Sequence, residues 1–303
     1  MKKILIAGGS GLVGRRLTTM LIEKGYEVTW LSRRATNSQD VKVYEWNVEN
    51  KTIDDKALEN VHAIVSLAGC GIADKAWTDA RKKEIVESRT HANQLLLETC
   101  LRLKVMPQVF VGASAIGAYG LNAEKIQTEE MSFANNDFLS TTCKAWEQSS
   151  LLFESQDIRT VILRIGIVLS THGGAMKEML KPLLLFTGVK FGDGKMITSW
   201  IHIDDVCNMF MYAIDNQSIS GVYNAVSPEP VKNITLVKTL AAHHPLIGIV
   251  LAPEQALKLM LGERAAMVMQ NLNVSCKKIV DAGYRFLYPD LTVAVNDILK
   301  NKK

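Results

Sequence analysis

A glycine-rich loop near the start of the chain constrains the fold most. The loop, Gly8-Gly9-Ser10-Gly11-Leu12-Val13-Gly14, directly follows an apolar run, Lys3 to Ala7, and opens a helical pattern, Leu12 to Lys24. Glycines at this spacing permit positive φ angles and let the backbone approach a pyrophosphate at a helix N-terminus. The order of strand, glycine turn and helix predicts a dinucleotide site at Gly8, Ser10, Gly11, Leu12, Val13 and Gly14, with an ordinary glycine turn as the alternative.

Strand and helix patterns alternate along the first half of the chain. Strands are predicted over 27–31, 41–46, 62–67, 108–114 and 159–169, and helices over 78–103 and 138–154. Such alternation with short connections is typical of a parallel sheet covered on both faces. We therefore predict an α/β fold, a doubly wound parallel sheet of the Rossmann type.

The second half of the chain predicts a smaller, partly helical C-terminal lobe. Glycine turns at 173–174 and 192–194 loosen the rhythm, and helical patterns return at 204–214, 234–243, 254–261, 277–282 and 291–300. We expect a dinucleotide-binding domain over 1–240, interleaved with lobe elements from about residue 170. Residues 241–303 are expected to form a C-terminal extension that contributes to the substrate lobe.

Composition excludes several classes of protein. The apolar runs are too short or too interrupted to reach the ~18 residues of a membrane span, and the first run ends in glycines rather than a cleavage site, so we expect a cytoplasmic protein without a membrane partner. Five scattered cysteines predict reduced thiols, and no metal-ligand spacing occurs. The net charge of +4 comes from lysines at the two ends, so we expect no nucleic-acid partner.

The end of the second predicted strand indicates which dinucleotide binds. Enzymes that use NAD usually place an acid near this position to bind the ribose hydroxyls, whereas a 2′-phosphate requires arginine. The chain has Ser32, Arg33 and Arg34 here and no acid. NADP or NADPH is therefore the expected cofactor, with solvated surface arginines as the alternative.

Motifs along nearly the whole chain resemble those of the extended short-chain dehydrogenase/reductase superfamily. The resemblance is closer to its atypical YfcH-like branch of epimerase family proteins, which belong with the NAD-dependent epimerases and dehydratases and carry a C-terminal extension. The matching segments are Gly8 to Gly14, Ser32-Arg33, Leu67-Ala68-Gly69, Lys83-Glu84-Ile85, Ser88-Arg89, Ser114 to Gly120, Asp137-Phe138-Leu139, Trp146-Glu147, Leu163 to Leu169, Gly173-Gly174, Trp200 to Asp205, Asn224, Pro228-Glu229-Pro230, Gly262-Glu263-Arg264 and Ala282-Gly283-Tyr284.

The resemblance implies further cofactor contacts. Leu67, Ala68 and Gly69 would close a strand over the cofactor, Ile167 would contact it, and Glu84 and Arg89 would lie along the nucleotide on the following helix. A guanidinium beside a phosphate makes strong charge-assisted bonds. The alternative for Glu84 is an ion pair with neighbouring bases on the helix surface.

The family's usual proton relay is missing. Most members use a tyrosine as general acid/base and a lysine four residues later on the same helix face. These positions hold Leu139 and Cys143, and Lys144 is rotated by about 100° from the second of them. The family's serine position falls on Ala115, with Ser114 adjacent.

Ser114 and Tyr119 are the remaining candidates for catalysis. Both follow a strand end where a hydroxyl can face the nicotinamide or the substrate. Local turn bonding and aromatic packing are the alternatives for Ser114 and Tyr119, respectively. His202 precedes a helix that Asp204 or Asp205 could cap, so we expect it to serve capping and packing.

The sequence thus predicts an NADP-binding oxidoreductase or epimerase-like protein. It would transfer hydride to or from a small or nucleotide-sugar-like carbonyl or alcohol, bound outside the carboxyl ends of the strands. Its alternative is a non-catalytic NADP-binding sensor or assembly module, which Leu139 and Cys143 favour. Oligomeric state is not indicated.

Overall fold

The computed structural model describes residues 1–34, 41–122, 125–134, 137–245 and 248–300. The strands are β1 (Lys3–Ala7), β2 (Glu27–Ser32), β3 (Lys42–Asn47), β4 (Thr52–Ile53), β5 (Val61–Ser66), β6 (Val109–Ala115), β7 (Arg159–Ile165), β8 (Ile167–Leu169), β9 (Thr187–Phe191), β10 (Ile197–Thr198), β11 (Trp200–His202), β12 (Gly221–Ala225), β13 (Val231–Lys232) and β14 (Gly248–Ala252). The helices are α1 (Leu12–Glu23), α2 (Asp79–Leu103), α3 (Phe138–Leu151), α4 (Gly174–Leu183), α5 (Ile203–Asp215), α6 (Asn233–Ala241), α7 (Glu254–Leu261), α8 (Ala265–Val268), α9 (Lys277–Asp281) and α10 (Leu291–Lys300). Residues 246–247 and 301–303 of the expected C-terminal extension lie outside the described residues.

The main sheet has eight strands in the order β12-β7-β6-β5-β1-β2-β3-β4. All neighbours are parallel except β3 and β4. The strand order reverses at β1, because β2 and β3 follow on one side and β5, β6 and β7 on the other. This confirms the predicted doubly wound sheet, and it places the ligand crevice at the carboxyl ends of β1 and β5.

Helices cover both faces of the sheet, as the apolar runs predict. On β1, Ile4 and Ile6 belong to the core that holds Leu17 of α1 and Phe210 of α5. Leu5, between them, belongs to the opposite core, which also holds buried residues of α2. Successive strand side chains point to opposite faces, so a strand buried on both sides is apolar throughout.

The strand predicted over 159–169 is wrong in one respect, because the chain breaks it at Gly166. A Cβ at Gly166 would lie 2.6 Å from the carbonyl oxygen of Ser199. Beyond this contact, β8 pairs with β11 instead of continuing in the main sheet. The close approach of another backbone thus turns the chain into the lobe.

The lobe has its own small core and three two-stranded sheets among the described residues. Its core joins α4, α6 and α10 around the fully buried Trp200. After α5 the chain returns to the main sheet as β12. No helix in the described ranges combines the length and apolar character that crossing a membrane requires.

Candidate functional site

The glycine loop between β1 and α1 depends on close backbone contacts. Gly8 has a φ of +88°, and a Cβ there would lie 2.7 Å from the backbone of Leu67. A Cβ at Gly14 would lie 2.5 Å from the carbonyl oxygen of Gly8. A larger residue at either position would push backbone segments apart. These two glycines therefore hold the loop against the end of β5 and α1 against the loop.

Helix α1 begins at this loop with an uncapped N-terminus. Gly11 occupies the N-cap position, no described side chain caps the helix, and its first turn holds no acid. Ser10 and Gly11 are exposed, and Leu12 and Val13 are half-buried. Free N–H groups and the positive end of the helix dipole together attract anions. The loop therefore fits the diphosphate of a dinucleotide.

The end of β2 lies beside the same loop. A Cβ at Gly9 would collide with the indole ring of Trp30, whose Nε1 donates to Thr18 at 2.8 Å. Trp30 thus fixes the end of β2. Ser32, the last residue of this strand, is half-buried, and Arg33 is exposed. Ser32 and Arg33 therefore come two and three residues after the tryptophan that contacts the glycine loop. Arg34 is also exposed, and residues 35–40 lie outside the described part of the chain.

Leu67, Ala68 and Gly69 follow β5, and the backbone of Leu67 and Ala68 lies against Gly8 of the glycine loop. Arg89 of α2 packs under this segment, because a Cβ at Gly69 would lie 2.9 Å from its guanidinium carbon. Its guanidinium donates to the carbonyl oxygens of Ile85 at 2.8 Å and Cys70 at 3.2 Å. Burial lowers the pKa of Arg89 below its usual value. The structure therefore places this cation against the segment that follows β5.

Glu84 takes part in an ion pair on the surface of α2. Its carboxylate accepts from Arg81 at 2.6 Å. Arg81 lowers the pKa of Glu84 most, and the positive charges of Lys75 and Arg33 lower it further. This is the ion pair given above as the alternative for Glu84.

Ser114 and Tyr119 meet in a buried polar network at the carboxyl ends of β6 and β7. Ser114 donates to Glu147 at 2.6 Å, and Glu147 accepts two bonds from Arg164 at 2.8 and 2.9 Å. Arg164 also donates to the hydroxyl of Tyr119 at 3.0 Å, and that hydroxyl donates to Asn224 at 2.7 Å. Both candidate hydroxyls therefore have protein partners.

Burial changes the electrostatics of this network. Tyr119 is only 3% exposed, and burial raises its pKa despite the bonds from Arg164 and Asn224. Burial opposes the charge on Arg164, but the bonds and charge of Glu147 outweigh it, so its pKa is raised. Glu147 and Arg164 thus form a buried salt bridge that holds Ser114 and Tyr119 in place.

Sequence reasoning missed the central pair of this network. Glu147 served only as a marker in the family motif, and Arg164 was not singled out. One signal was available, since Arg164 stands in an otherwise apolar strand, Val161 to Ile165. A charge buried in a sheet needs a charged or hydrogen-bonding partner.

The positions of the missing tyrosine and lysine are buried and apolar. Leu139 packs with Trp77, Phe138 and Met267, the last of which comes from the C-terminal extension. Burial raises the pKa of the Cys143 thiol to about 12. Neither side chain can exchange protons near neutral pH. The extension thus covers the place where the family's relay would stand.

His202 caps α5, as expected from the sequence, whereas Asp204 and Asp205, which could also cap it, have other partners. Nδ1 of His202 accepts the backbone N–H of Asp204 at 3.0 Å. Asp204 instead binds Arg16 through two bonds of 2.6 and 2.8 Å. Asp205 accepts the backbone N–H groups of Leu287 and Tyr288, which attaches the C-terminal segment to α5.

A groove of about 730 Å³ opens at the glycine loop and runs between α1, α5 and α10. We call it the helix-end groove. Its lining includes Ser10, Arg15, Ser170, Gly173, His202 and Asp297. In the described part of the chain, His, Cys, Asp and Glu form no group of three or more that could hold a metal ion.

The fold and the glycine loop define a Rossmann-type dinucleotide-binding protein with a C-terminal lobe. Residues 4–225 match the NAD dependent epimerase/dehydratase family, and residues 252–298 match a domain of unknown function, DUF1731. The chain therefore belongs to the NAD dependent epimerase/dehydratase family, which confirms the resemblance drawn from its motifs.

Relatives of known sequence and structure agree with this assignment. The epimerase family protein YfhF of Bacillus subtilis is 33% identical, over 99% of both chains. A crystal structure of the human epimerase family protein SDR39U1 with NADPH is 28% identical, covers 99% of both chains and has a TM-score of 0.87. The nucleoside-diphosphate sugar epimerase of Corynebacterium glutamicum is 30% identical, covering 98% of this chain and 58% of that one, with a TM-score of 0.79.

Proposed function

We propose that this protein is an NADP(H)-dependent oxidoreductase that transfers hydride to or from a small or nucleotide-sugar-like carbonyl or alcohol. The observation that carries the proposal is the glycine loop. Gly8 and Gly14 leave no room for a Cβ, and the uncapped N-terminus of α1 begins between them in the sequence. A bound nicotinamide would supply the redox chemistry, while the chain binds and orients it.

The preference for NADP(H) rests on the end of β2. Arg33 is exposed, and Ser32 beside it is half-buried, so both can reach a ligand in the crevice. A guanidinium fork suits a phosphate monoester, and such charge-assisted bonds contribute about 1.5–3 kcal/mol each. The human relative whose crystal structure contains NADPH supports the same choice.

For catalysis, we assign Ser114 and Tyr119 to positioning rather than to proton transfer. Both hydroxyls are buried and bonded to Glu147, Arg164 or Asn224. With Leu139 and Cys143 at the relay positions, proton exchange would fall to the substrate or to solvent. A Tyr119→Phe variant tests this assignment, because a positioning tyrosine loses its two hydrogen bonds, to Asn224 and from Arg164, whereas an acid/base loses turnover.

The decisive assay measures NADPH oxidation with a panel of aldehydes and ketones, and NADP reduction with the matching alcohols. Turnover that survives in Tyr119→Phe, with Tyr26→Phe as the matched control, supports the positioning role. Loss of turnover in Tyr119→Phe alone, at unchanged NADPH affinity, would restore it as the acid/base. Absence of NADPH binding would refute the proposed function altogether.

A second function is favoured by the buried network and the apolar relay positions. A protein that binds NADP(H) without turning it over needs the glycine loop and Arg33 but no proton relay. We therefore propose, as the alternative, a non-catalytic NADP(H)-binding sensor or assembly module. Tight NADPH binding with no oxidation by any member of the carbonyl panel supports this alternative.

A further inference from the structure

The lining of the helix-end groove does not include the residues of the proposed adenosine site. Ser32 and Leu67 to Gly69 lie where the loop meets β2 and β5, and the groove instead extends along α1 toward loop 170–173, the start of α5 and α10. The dinucleotide loop forms only one end of it. A second ligand can therefore occupy the groove beside a bound dinucleotide.

Two helix N-termini without side-chain caps open into this groove. Helix α1 starts after Gly11 and α4 starts after Gly173, and both glycines line the groove. Neither helix has a capping side chain or a first-turn acid within the ranges that the structure describes. A Cβ at Gly173 would lie 3.5 Å from the side chain of Leu12, so the two ends are neighbours. The N-terminus of α1 is assigned above to the diphosphate of the dinucleotide, so the free N–H groups and dipole of α4 remain to favour a second anion.

Arg15 adds a positive charge to the same end of the groove. It is exposed, and its Nε donates to the carbonyl oxygen of Ser10 at 2.7 Å, which holds the guanidinium beside the loop. The neighbouring Arg16 is already neutralised by Asp204. The charge balance near Ser10 is therefore positive.

The groove lining beside β11 holds a buried donor without a hydrogen-bond partner. His202 is 1% exposed, and its Nδ1 accepts a backbone N–H, so the proton of the neutral ring lies on Nε2. Nε2 has no hydrogen-bond partner among the described residues. The closest acceptor is Oδ2 of Asp297, at 3.4 Å. Such an orphan donor is rare in folded proteins and indicates a missing ligand or water.

Chemistry beside His202 selects a hydroxyl group. A hydroxyl can accept from Nε2 of His202 and donate to the carboxylate of Asp297, whereas a second anion would be repelled by that carboxylate. We propose that the helix-end groove binds a small phosphorylated polyol, with its phosphate at the N-terminus of α4 and Arg15 and a hydroxyl between His202 and Asp297.

Isothermal titration of the NADPH-saturated protein with glycerol 3-phosphate, inorganic phosphate and glycerol tests the site. NADPH binding is measured first, so a failure of the proposed function is seen separately; if NADPH does not bind, the same titrations are run on the free protein. We expect glycerol 3-phosphate to bind more tightly than phosphate. Arg15→Ala should weaken both by roughly tenfold, as expected for the loss of a charge-assisted bond. Asp297→Ala should remove the advantage of glycerol 3-phosphate over phosphate.

Arg285→Ala is the matched control, because this exposed arginine lies outside the groove lining and donates only to backbone carbonyls of its own segment. Three results overturn the proposal. In the first, glycerol 3-phosphate fails to bind at tens of millimolar. In the second, the Arg15→Ala variant binds it as tightly as the wild type does. In the third, phosphate and NADPH compete, which makes the groove part of the cofactor site.

Discussion

The buried pair of Glu147 and Arg164 gives the sharpest prediction about stability. Both side chains are less than 5% exposed, and their two bonds of 2.8 and 2.9 Å satisfy a charge that is buried near the carboxyl end of β7. Glu147→Gln keeps the size of the side chain and removes its charge. Arg164 then stays buried with no counter-charge inside the network.

The expected cost follows from desolvation. Removing one partner of a buried ion pair costs about 3–5 kcal/mol, because the other charge stays away from water. Ser114 also donates to Glu147, and a weakened acceptor adds about 1 kcal/mol. In the double variant Glu147→Gln/Arg164→Met no unpaired charge is left, so its cost should fall below the sum of the single costs by at least ~2 kcal/mol.

Urea denaturation of the wild type, the two single variants and the double variant measures these free energies of unfolding. Asp55→Asn is the matched control, since it breaks a two-bond pair with Arg102 in which both side chains are about half exposed. Exposed pairs contribute little, so this control should unfold near the wild-type midpoint. Additive single costs, or a Glu147→Gln variant as stable as the control, would refute the reasoning.

Two further predictions concern the loop and the helix cap. Gly8→Ala should destabilise the protein by at least ~2 kcal/mol more than Gly25→Ala, because both have positive φ angles but only Gly8 faces the backbone of Leu67; equal urea midpoints would contradict this. Burial lowers the pKa of His202 below its usual 6.5, so the unfolded chain takes up the proton first and stability should fall as pH drops below about 6.5. His202→Asn keeps a capping oxygen and should flatten this part of the pH profile, measured as Tm against pH; an unchanged slope would show that His202 does not cause it.

The fold was largely predictable because strand and helix periodicity is local. The signals used all depend on residues that are close together in the sequence: apolar runs buried on both faces, glycines at the first turn and regular helix spacing. The break at Gly166 was not predictable, since it depends on the carbonyl oxygen of Ser199, which no local pattern indicates.

The candidate site was predictable only where one segment forms it. The glycine loop is one such segment, and its geometry follows from spacing. The network of Ser114, Glu147, Arg164 and Tyr119 joins β6, α3 and β7, so its bonds depend on how these elements pack. The capping role of His202 was predictable, because this residue directly precedes α5 and its ring nitrogen caps that helix.

The dissociation constants for NADPH and NADH, measured by fluorescence titration on the wild type and on Arg33→Ala, test the central claim most directly. We expect the wild type to bind NADPH at least about tenfold more tightly than NADH, the effect of one charge-assisted bond to the 2′-phosphate. In Arg33→Ala the two constants should become nearly equal, while Arg285→Ala should behave as the wild type. Binding of neither nucleotide to the wild type, or a preference that survives Arg33→Ala, would contradict the account.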